Sequence, residues 1–562
     1  MNILGIGGYS HDSAAALVCD GKLVAAVAEE RLTRIKHQGG VPHRAAQFCL
    51  DHAGLKPGDI DHVCCYMRPG FRIGKRIPYR LTQMIRSPYY SAGFIAYELG
   101  HNAQYVSGMR ALLGPRTKLH FMNHHPAHAA SAFLVSPFDE AALLSIDYVG
   151  EWAATWAGVG RGTRIEPLFH ENYPNSLGVF YTAITDYLGF LRASDEYKVM
   201  GLASYGEPEY IDDFRRIIRL LPGGRYALDL SWFQCHYLPG SRCGYFSKKF
   251  LDRFGPPRAK GEPIETRHQN LAASAQRALE ETGLHIAKHL HEQTGMKRLC
   301  MAGGVALNCS MNGRLLRESP FDEIFVQPAA GDDGIGIGGA FQLWHAFSGN
   351  GRSFVMRDAC LGPEFSNDDI RVFLDRAKIT YERPANVLER TAELLAEGKI
   401  VGWFQGRMEF GPRALGARSI LADPTRPDMK DLLNKYVKHR EEFRPFAPSC
   451  LAERAGDYFE GCTDSPFMLF VHRVKPEMRA AVPAITHIDG TARVQTVSAE
   501  VSPKYHALIS AFEKRRGVPM VLNTSFNVMG EPIVHTPSDA VRCFYSTGMD
   551  ALTIGDYVIT KT

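Results

Sequence analysis

The chain opens on an apolar run, Ile3-Leu4-Gly5-Ile6, broken by the polar, glycine-bearing stretch Gly7-Gly8-Tyr9-Ser10-His11-Asp12-Ser13 and resumed as Ala14-Ala15-Ala16-Leu17-Val18. A second break at Asp20-Gly21 leads into Lys22-Leu23-Val24-Ala25-Ala26-Val27-Ala28-Glu29-Glu30. Short apolar runs bounded by turn residues predict strands. The first thirty residues therefore read as a hairpin with a tight phosphate-type turn, followed by a third strand. Residues 141 to 170 repeat the plan: Ala142 to Asp147, a loop Tyr148-Val149-Gly150-Glu151, Ala153 to Val159, then a turn at Gly160-Arg161-Gly162. Two copies of one plan predict an internal duplication.

Between the copies lies Asn123-His124-His125-Pro126-Ala127-His128-Ala129-Ala130, which reads as a helix starting close to His125, because proline is tolerated only in a first turn. His124 and His128 then stand one turn apart on one face, the geometry of a metal-binding pair, with His125 pointing off it. Further on, Leu299 to Asn308 reads as a strand and glycine turn at Gly303-Gly304 feeding a helix through Met311. Such a turn lets a ligand approach backbone N–H groups, and a helix N-terminus favours an anion. A second turn, Gly331-Asp332-Asp333-Gly334, puts two adjacent acids in a glycine loop, where they are either solvated or hold a cation.

The pattern breaks between residues 350 and 385, and a new helix starts at the Ser366-Asn367-Asp368 cap, which places a domain boundary near residue 358. Beyond it a helix Val387 to Glu397 and a strand Ile400 to Phe404 precede the loop Gly406 to Ser419, which holds Arg407, Arg413 and Arg418. Arginines recur beside glycine and proline in Lys438 to Phe446 and in His487 to Gln495, ahead of Val521 to Asn527. Guanidinium forks and free backbone N–H groups in loops are how oxyanion sites are built.

At 562 residues the chain exceeds one core, and 45% hydrophobic with 22% charged residues supplies ample material for at least two domains. Lys plus Arg at 64 against Asp plus Glu at 60 leaves +4, too balanced for a nonspecific nucleic-acid binder. Small anionic ligands need only a few local arginines. Twelve scattered cysteines without a C-x-x-C pair match reduced, cytosolic usage. No basic leader and no run of eighteen apolar residues occur, so a cytoplasmic protein with no membrane partner is expected.

The duplication resembles the actin-like ATPase and sugar-kinase architecture, two similar α/β lobes facing each other across a cleft. More specifically, the chain resembles the O-carbamoyltransferases of the nodulation and antibiotic-tailoring family. The likeness runs through His11-Asp12-Ser13-Ala14-Ala15, Glu29 to His37, the His124 to His128 block and Lys198-Val199-Met200-Gly201-Leu202-Ala203. Its most specific pieces are Glu409-Phe410-Gly411-Pro412-Arg413-Ala414-Leu415-Gly416 and Asn523-Thr524-Ser525-Phe526-Asn527.

The resemblance implies an actin-like carbamoyl-transfer domain over residues 1–358, like the tRNA threonylcarbamoyl transferases. A second α/β domain over 359–562, like threonylcarbamoyl-AMP synthase, would form carbamoyl-adenylate from carbamoyl phosphate and ATP, with Mg2+. By position it implies iron(II) ligands at His124, His128, Asp147 and Asp332, a carbamoyl-adenylate lysine at Lys36 and a proton acceptor at His11. Gly304 and Asn308 fall at the carbamoyl-adenylate site. Anion and ATP contacts fall on Arg413, Lys438, Arg444, Arg493, Asn523 and Ser525. Two imidazoles and two carboxylates suit Fe(II), Mn or Zn. Asp333 competes with Asp332 as ligand, and the glycine-first loop favours Asp332. His11 in its glycine loop is the right type for a base on an alcohol, or else it shapes the turn. Glu196 and Lys198 either touch adenylate or pair with each other.

Acceptor contacts are expected in Tyr66 to Tyr105, with Arg68-Pro69-Gly70-Phe71-Arg72 and Tyr89-Tyr90. Few acids there, and Tyr9 where an aminoglycoside-modifying relative would offer an acid, argue against a polycationic acceptor. A hydroxyl of a sugar, macrolactone or alkaloid remains open. Two other readings compete: transfer to a tRNA adenosine, against which the balanced charge counts, and an iron- or nucleotide-sensing protein without catalysis, for which the arginine-rich second domain has no use.

Overall fold

The computed structural model describes residues 1–68, 73–83, 104–114, 117–234 and 245–561. Of the stretch from Tyr66 to Tyr105, the Pro69-Gly70-Phe71-Arg72 run and Tyr89-Tyr90 lie outside the described residues. The chain forms two compact units, Met1–Val24 with Gly39–Val355, and Ala25–Gln38 with Met356–Thr562. A linear division at residue 358 assigns Ala25–Gln38 to the first half of the chain, whereas its contacts put it in the second unit.

The first unit holds two sheets of the same design. β1 (Asn2–Gly7), β2 (Ala14–Cys19), β3 (Lys22–Ala28), β4 (His62–Tyr66) and β5 (Leu119–Met122) lie in the order β3-β2-β1-β4-β5. β1 runs antiparallel to β2, with Gly5 opposite Ala16, and parallel to β4, with Ile6 opposite Cys65. After the His124–Phe133 helix come β6 (Glu140–Ile146), β7 (Ala153–Arg161) and β8 (Arg164–Asn172). β9 (Ile218–Leu221) and β10 (Arg225–Leu228) form a separate ribbon, and β11 (Arg298–Ala302) and β12 (Glu323–Val326) complete the second sheet in the order β12-β11-β6-β7-β8. Each sheet thus has the first strand of its hairpin at the centre, the other two hairpin strands on one side and two parallel strands on the other. This is the duplicated actin-like plan expected from the repeated hairpin.

The helices His124–Phe133 and Ile335–Ser348 pack on each other between the sheets. The run Gly336-Ile337-Gly338-Gly339 makes that possible. A Cβ at Gly336 would fall 2.8 Å from the Gly5 backbone of β1, and one at Gly338 would fall 2.0 Å from the Ala127 carbonyl oxygen. These glycines permit close approach of backbone to backbone. A long helix, Thr266–Thr294, lies along the same unit.

In the second unit, β13 (Val401–Phe404), β14 (Arg418–Ala422), β15 (Ala447–Leu451), β18 (Gln495–Val497), β19 (Met520–Ser525), β20 (Ala551–Ile554) and β21 (Tyr557–Thr560) form one mixed sheet in the order β18-β15-β19-β14-β13-β20-β21. β16 (Val471–Arg473) and β17 (Thr491–Arg493) pair as a ribbon. Strand periodicity sorts the core into two clusters. Val401, Trp403, Leu421 and Val521 join one, with the helices Val387–Ala396 and Pro503–Arg516, while Phe404, Ile420, Leu522 and Ile554 join the other. The Ala25–Gln38 segment is tied in by backbone and side chain. Ala26 donates to the Leu361 carbonyl at 3.1 Å, Arg31 to the Gly411 carbonyl at 2.9 Å, and Arg34 to the carbonyls of Pro532 and Ile533. Among the described residues, no helix is long and apolar enough to cross a membrane.

Candidate functional site

Parallel strands bring distant residues to one end of the first unit. β6 ends at Ile146 and delivers Asp147, the turn after β12 delivers Asp332, and the first two turns of the His124–Phe133 helix present His124 and His128. One ligand atom from each of these four lies within 4.8 Å of all the others. His124 Nε2 is 3.1 Å from Asp147 Oδ2 and 3.7 Å from Asp332 Oδ1. His128 Nε2 is 2.9 Å from Asp147 Oδ2 and 3.4 Å from Asp332 Oδ1. All four side chains are buried. The helix begins at His124, one residue before the position that Pro126 suggests.

The surroundings aim the ligand atoms. Asp147 Oδ1 accepts the N–H groups of Tyr148 at 2.7 Å and Gly304 at 3.2 Å, which leaves Oδ2 facing the imidazoles. His125 is spent elsewhere, with Nδ1 2.8 Å from Ser145 Oγ and Nε2 2.8 Å from the Ala153 carbonyl oxygen. His128 is the opposite case: its approach to Asp147 is short but out of line, and both its ring nitrogens are buried without a hydrogen-bond partner. Burial opposes the His128 imidazolium, but Asp147 and Asp332 outweigh it and lift its pKa to about 9. Burial likewise opposes ionisation of Asp147, yet the two imidazoles hold it well below the usual carboxylate range, and they lower Asp332 too. Two buried carboxylates thus need a positive charge, and an orphaned imidazole faces them. A divalent cation fits that donor set and would displace the proton.

His11 stands beside the cluster, its Nε2 3.9 Å from Asp332 Oδ2 and its Nδ1 3.0 Å from Asp12 Oδ2. Partial burial opposes its protonation, whereas Asp12 and Asp332 favour it, and the net shift is upward; the ring is 54% exposed, so solvent screens both carboxylates. The turn that carries His11 has Gly8 at φ +63° and Asp12 at φ +50°. A Cβ on Gly8 would meet the Asp12 carbonyl oxygen at 2.1 Å. The N–H groups of Tyr9 and Ser10 converge on the buried Tyr66 hydroxyl at 2.9 and 3.3 Å. Two donors of the predicted phosphate-type turn are therefore taken by a phenol at the end of β4.

Asn308 caps the Cys309–Glu318 helix through the Met311 N–H and exchanges two hydrogen bonds with Gln276 at 2.9 and 3.0 Å. Gly304 spends its N–H on Asp147. Glu196 accepts from Thr182 Oγ1 at 2.7 Å and the Ala193 N–H at 2.8 Å, and Lys198 pairs with Asp195 at 3.0 Å. Asp333 is partly exposed and lies outside the four-residue cluster.

In the second unit a π-helix, Leu433–Lys438, delivers Lys438 to the turn after β19. Its buried ammonium donates to Ser525 Oγ at 3.2 Å, to the Ser525 carbonyl, and to the carbonyl and Oδ1 of Asn527 at 3.1 and 2.9 Å. Burial, then Arg440 and Arg444, hold its pKa well below the usual lysine range. Asn523 donates to the Ala414 carbonyl at 3.1 Å and Ser449 Oγ at 2.9 Å, while its Oδ1 is buried without a partner. Arg444 lies 3.7 Å from Glu441, and Nε of Arg493 is buried without a partner. Arg413 is half-buried in the loop after Glu409, and Lys36 is half-buried in the Ala25–Gln38 segment.

Two side chains in this loop are scaffold that the arginine pattern hides. Arg418 is fully buried, 3.7 Å above the Phe404 ring, and donates to the carbonyls of Gln405, Ala417, Pro363 and Gly406. Glu409 Oε1 accepts the N–H groups of Leu415, Ala417 and Arg418. The signal for Glu409 lies in the loop itself, an acid ahead of Gly411 and Gly416, both at positive φ.

Comparison with known proteins adds to this geometry. Residues 2–341 match the family model for the carbamoyltransferase N-terminus, and residues 392–561 that for the carbamoyltransferase C-terminus. An uncharacterised protein of Synechocystis is 43% identical, covering 100% of this chain and 97% of its own. Nodulation protein NolNO of Sinorhizobium fredii is 40% identical, covering 98% of this chain and 79% of its own. Among solved structures, full-length HypF in its phosphate- and nucleotide-bound form is similar at 13% identity and a TM-score of 0.36, covering 63% of this chain and 56% of its own. With family models matching both halves and relatives matching nearly its whole length, the chain belongs to the carbamoyltransferase family and is a carbamoyltransferase.

Proposed function

We propose that this carbamoyltransferase is ATP-dependent and makes O-carbamates in two half-reactions. In the second unit, water hydrolyses carbamoyl phosphate to carbamate and phosphate, the carbamate oxygen attacks the α-phosphorus of ATP, and pyrophosphate departs to leave carbamoyl-adenylate. Arg413, Lys438, Arg444 and Arg493 complement the phosphate charge, and Asn523 and Ser525 offer neutral hydrogen-bonding groups. In the first unit, an acceptor hydroxyl attacks the carbamoyl carbon, its proton passes to His11 Nε2, and AMP departs. A cation held by Asp332 would weaken that carboxylate's pull on the His11 Nε2 proton, while Asp12 keeps its hold on Nδ1 and orients the ring. A cation held by His124, His128, Asp147 and Asp332, iron(II) by family resemblance with Mn or Zn chemically suited, would bind adenylate and polarise the carbamoyl carbonyl. The acceptor is a small hydroxylated molecule, a sugar or natural-product scaffold.

The observation that carries this reading is the buried four-ligand cluster with the orphaned nitrogens of His128, beside the accessible imidazole of His11. The test needs no acceptor. The protein is incubated with ATP, carbamoyl phosphate, Mg2+ and Fe(II), and pyrophosphate and carbamoyl-adenylate are assayed. Release of pyrophosphate that requires both substrates is expected. ATP hydrolysis alone, or no reaction, would refute the adenylate route.

A further inference from the structure

The loop after β6 supplies Asp147 and then, within four residues, touches a second ligand. The His124–Phe133 helix opens with a backbone N–H that has no partner inside the helix. Asn123, its N-cap, makes no side-chain capping bond, and Asn123 Oδ1 is buried without a partner. Glu151 fills the role from across the fold: Oε1 and Oε2 lie 3.1 and 3.2 Å from the His124 backbone nitrogen. Oε1 also accepts the Arg68 N–H, just past β4, at 3.2 Å. The side chain is only 6% exposed, so the cost of dehydrating a carboxylate is met by these N–H groups and by the positive end of the helix dipole. Next to it, Gly150 lies against the His124 ring, where a Cβ would come within 2.9 Å of Cδ2 and 3.0 Å of the histidine Cβ.

We infer that Glu151 is a positioning residue for the metal centre. It clamps the first turn of the ligand helix while Gly150 seats the imidazole, and together they aim His124 Nε2 at the position shared with Asp147 and Asp332. Glu151 is not itself a ligand, because its oxygens are committed to backbone N–H groups and it stands outside the four-atom cluster. Coordination tolerates displacements of about 0.2 Å, so a clamp on backbone and ring controls affinity without touching the ion. The inference rests on the metal reading above.

Binding of Mn(II) alone to the full-length protein, followed by the loss of the free-ion electron paramagnetic resonance signal, tests both separately. Glu151→Ala is expected to weaken Mn(II) binding about 10- to 100-fold. Glu151→Gln, which keeps an oxygen for the His124 and Arg68 N–H groups, is expected to stay within about threefold of the natural protein. Gly150→Ala, which pushes the ring without altering charge, is expected to weaken binding about tenfold and stands in if Glu151→Ala does not fold. Natural affinity in Glu151→Ala or, in its place, in Gly150→Ala would overturn the clamp. Equal losses in Glu151→Gln and Glu151→Ala would also overturn it, since charge and not hydrogen-bond geometry would then be responsible. A natural protein that takes up no Mn(II), Fe(II) or Zn(II) would overturn the metal reading, and the clamp with it.

Discussion

Replacing Glu409 with alanine tests whether the loop from Glu409 to Gly416 is held as a rigid scaffold. Glu409 Oε1 accepts three N–H groups, from Leu415 at 2.8 Å, Ala417 at 2.7 Å and Arg418 at 3.0 Å, and the side chain is 3% exposed. Charge-assisted hydrogen bonds contribute about 1.5–3 kcal/mol each, so three amount to roughly 5–9 kcal/mol before correction. Truncation also releases the dehydration penalty of a carboxylate whose Oε2 is buried without a partner, which offsets several kcal/mol. The expected net loss is about 3–5 kcal/mol, a fall of roughly 6–20 °C in Tm for a unit of this size. Urea and thermal unfolding followed by tryptophan fluorescence suit the question, because Trp403 Nε1 donates to the Gly416 carbonyl of the same loop at 2.8 Å. Glu409→Gln keeps one acceptor oxygen and is expected to lose about 1–2 kcal/mol. A loss below about 1 kcal/mol in the alanine variant, or equal losses in both, would refute the scaffold argument.

Four further variants separate the two half-reactions and probe the Tyr9-Ser10 turn and the pH response. His128→Ala is expected to lose metal uptake and carbamoyl transfer while keeping pyrophosphate release, and Arg444→Ala to lose pyrophosphate release about 10- to 100-fold with metal uptake intact. Parallel loss in both assays by either variant contradicts the division of labour. Tyr66→Phe removes the oxygen on which the Tyr9 and Ser10 N–H groups converge; hydrogen exchange at those amides should quicken about tenfold, and unchanged exchange would show that the phenol does not hold the turn. Burial keeps His535 and His487 at a pKa of about 4, against about 6.5 in the unfolded chain. The unfolded state therefore binds more protons between these values, so stability is complete above about pH 6.5 and falls towards pH 4, by up to about 3 kcal/mol per histidine. His535→Gln should flatten that limb in denaturation measured across pH, and an unchanged slope would rule His535 out as its source.

How much of this was legible in the sequence depends on how local each cause is. The repeated hairpin was readable because alternating apolar runs and glycine turns are written residue by residue, and both sheets follow the order it implies. His124 and His128 were readable as a pair because a helix fixes the relation of residues four apart. Asp147 and Asp332 reach them only through parallel strand packing, which leaves no spacing signal; the glycine loop marks Asp332 or Asp333 as a candidate cation holder, and only family resemblance joins an acid to the two histidines. Arg418 reads in sequence as one more loop cation, yet its two terminal nitrogens are spent on backbone carbonyls. Tyr66 and Glu151 carry no motif at all. Their partners are backbone N–H groups of distant turns, which exist as targets only after the chain has folded.

The second unit is encoded in two separated pieces. Because Arg31 and Arg34 donate to the carbonyls of Gly411, Pro532 and Ile533, a polypeptide beginning at Met356 would lack donors that its own loops require. A single truncation point cannot release this unit whole, and a fragment ending at Val355 would carry Ala26, Arg31 and Arg34 without the carbonyls of Leu361, Gly411, Pro532 and Ile533 to which they donate. For the gene this means that exchanging the downstream coding region alone would part Arg31 and Arg34 from the carbonyls they are matched to. Two stretches of coding sequence more than 300 codons apart thus specify one folding unit.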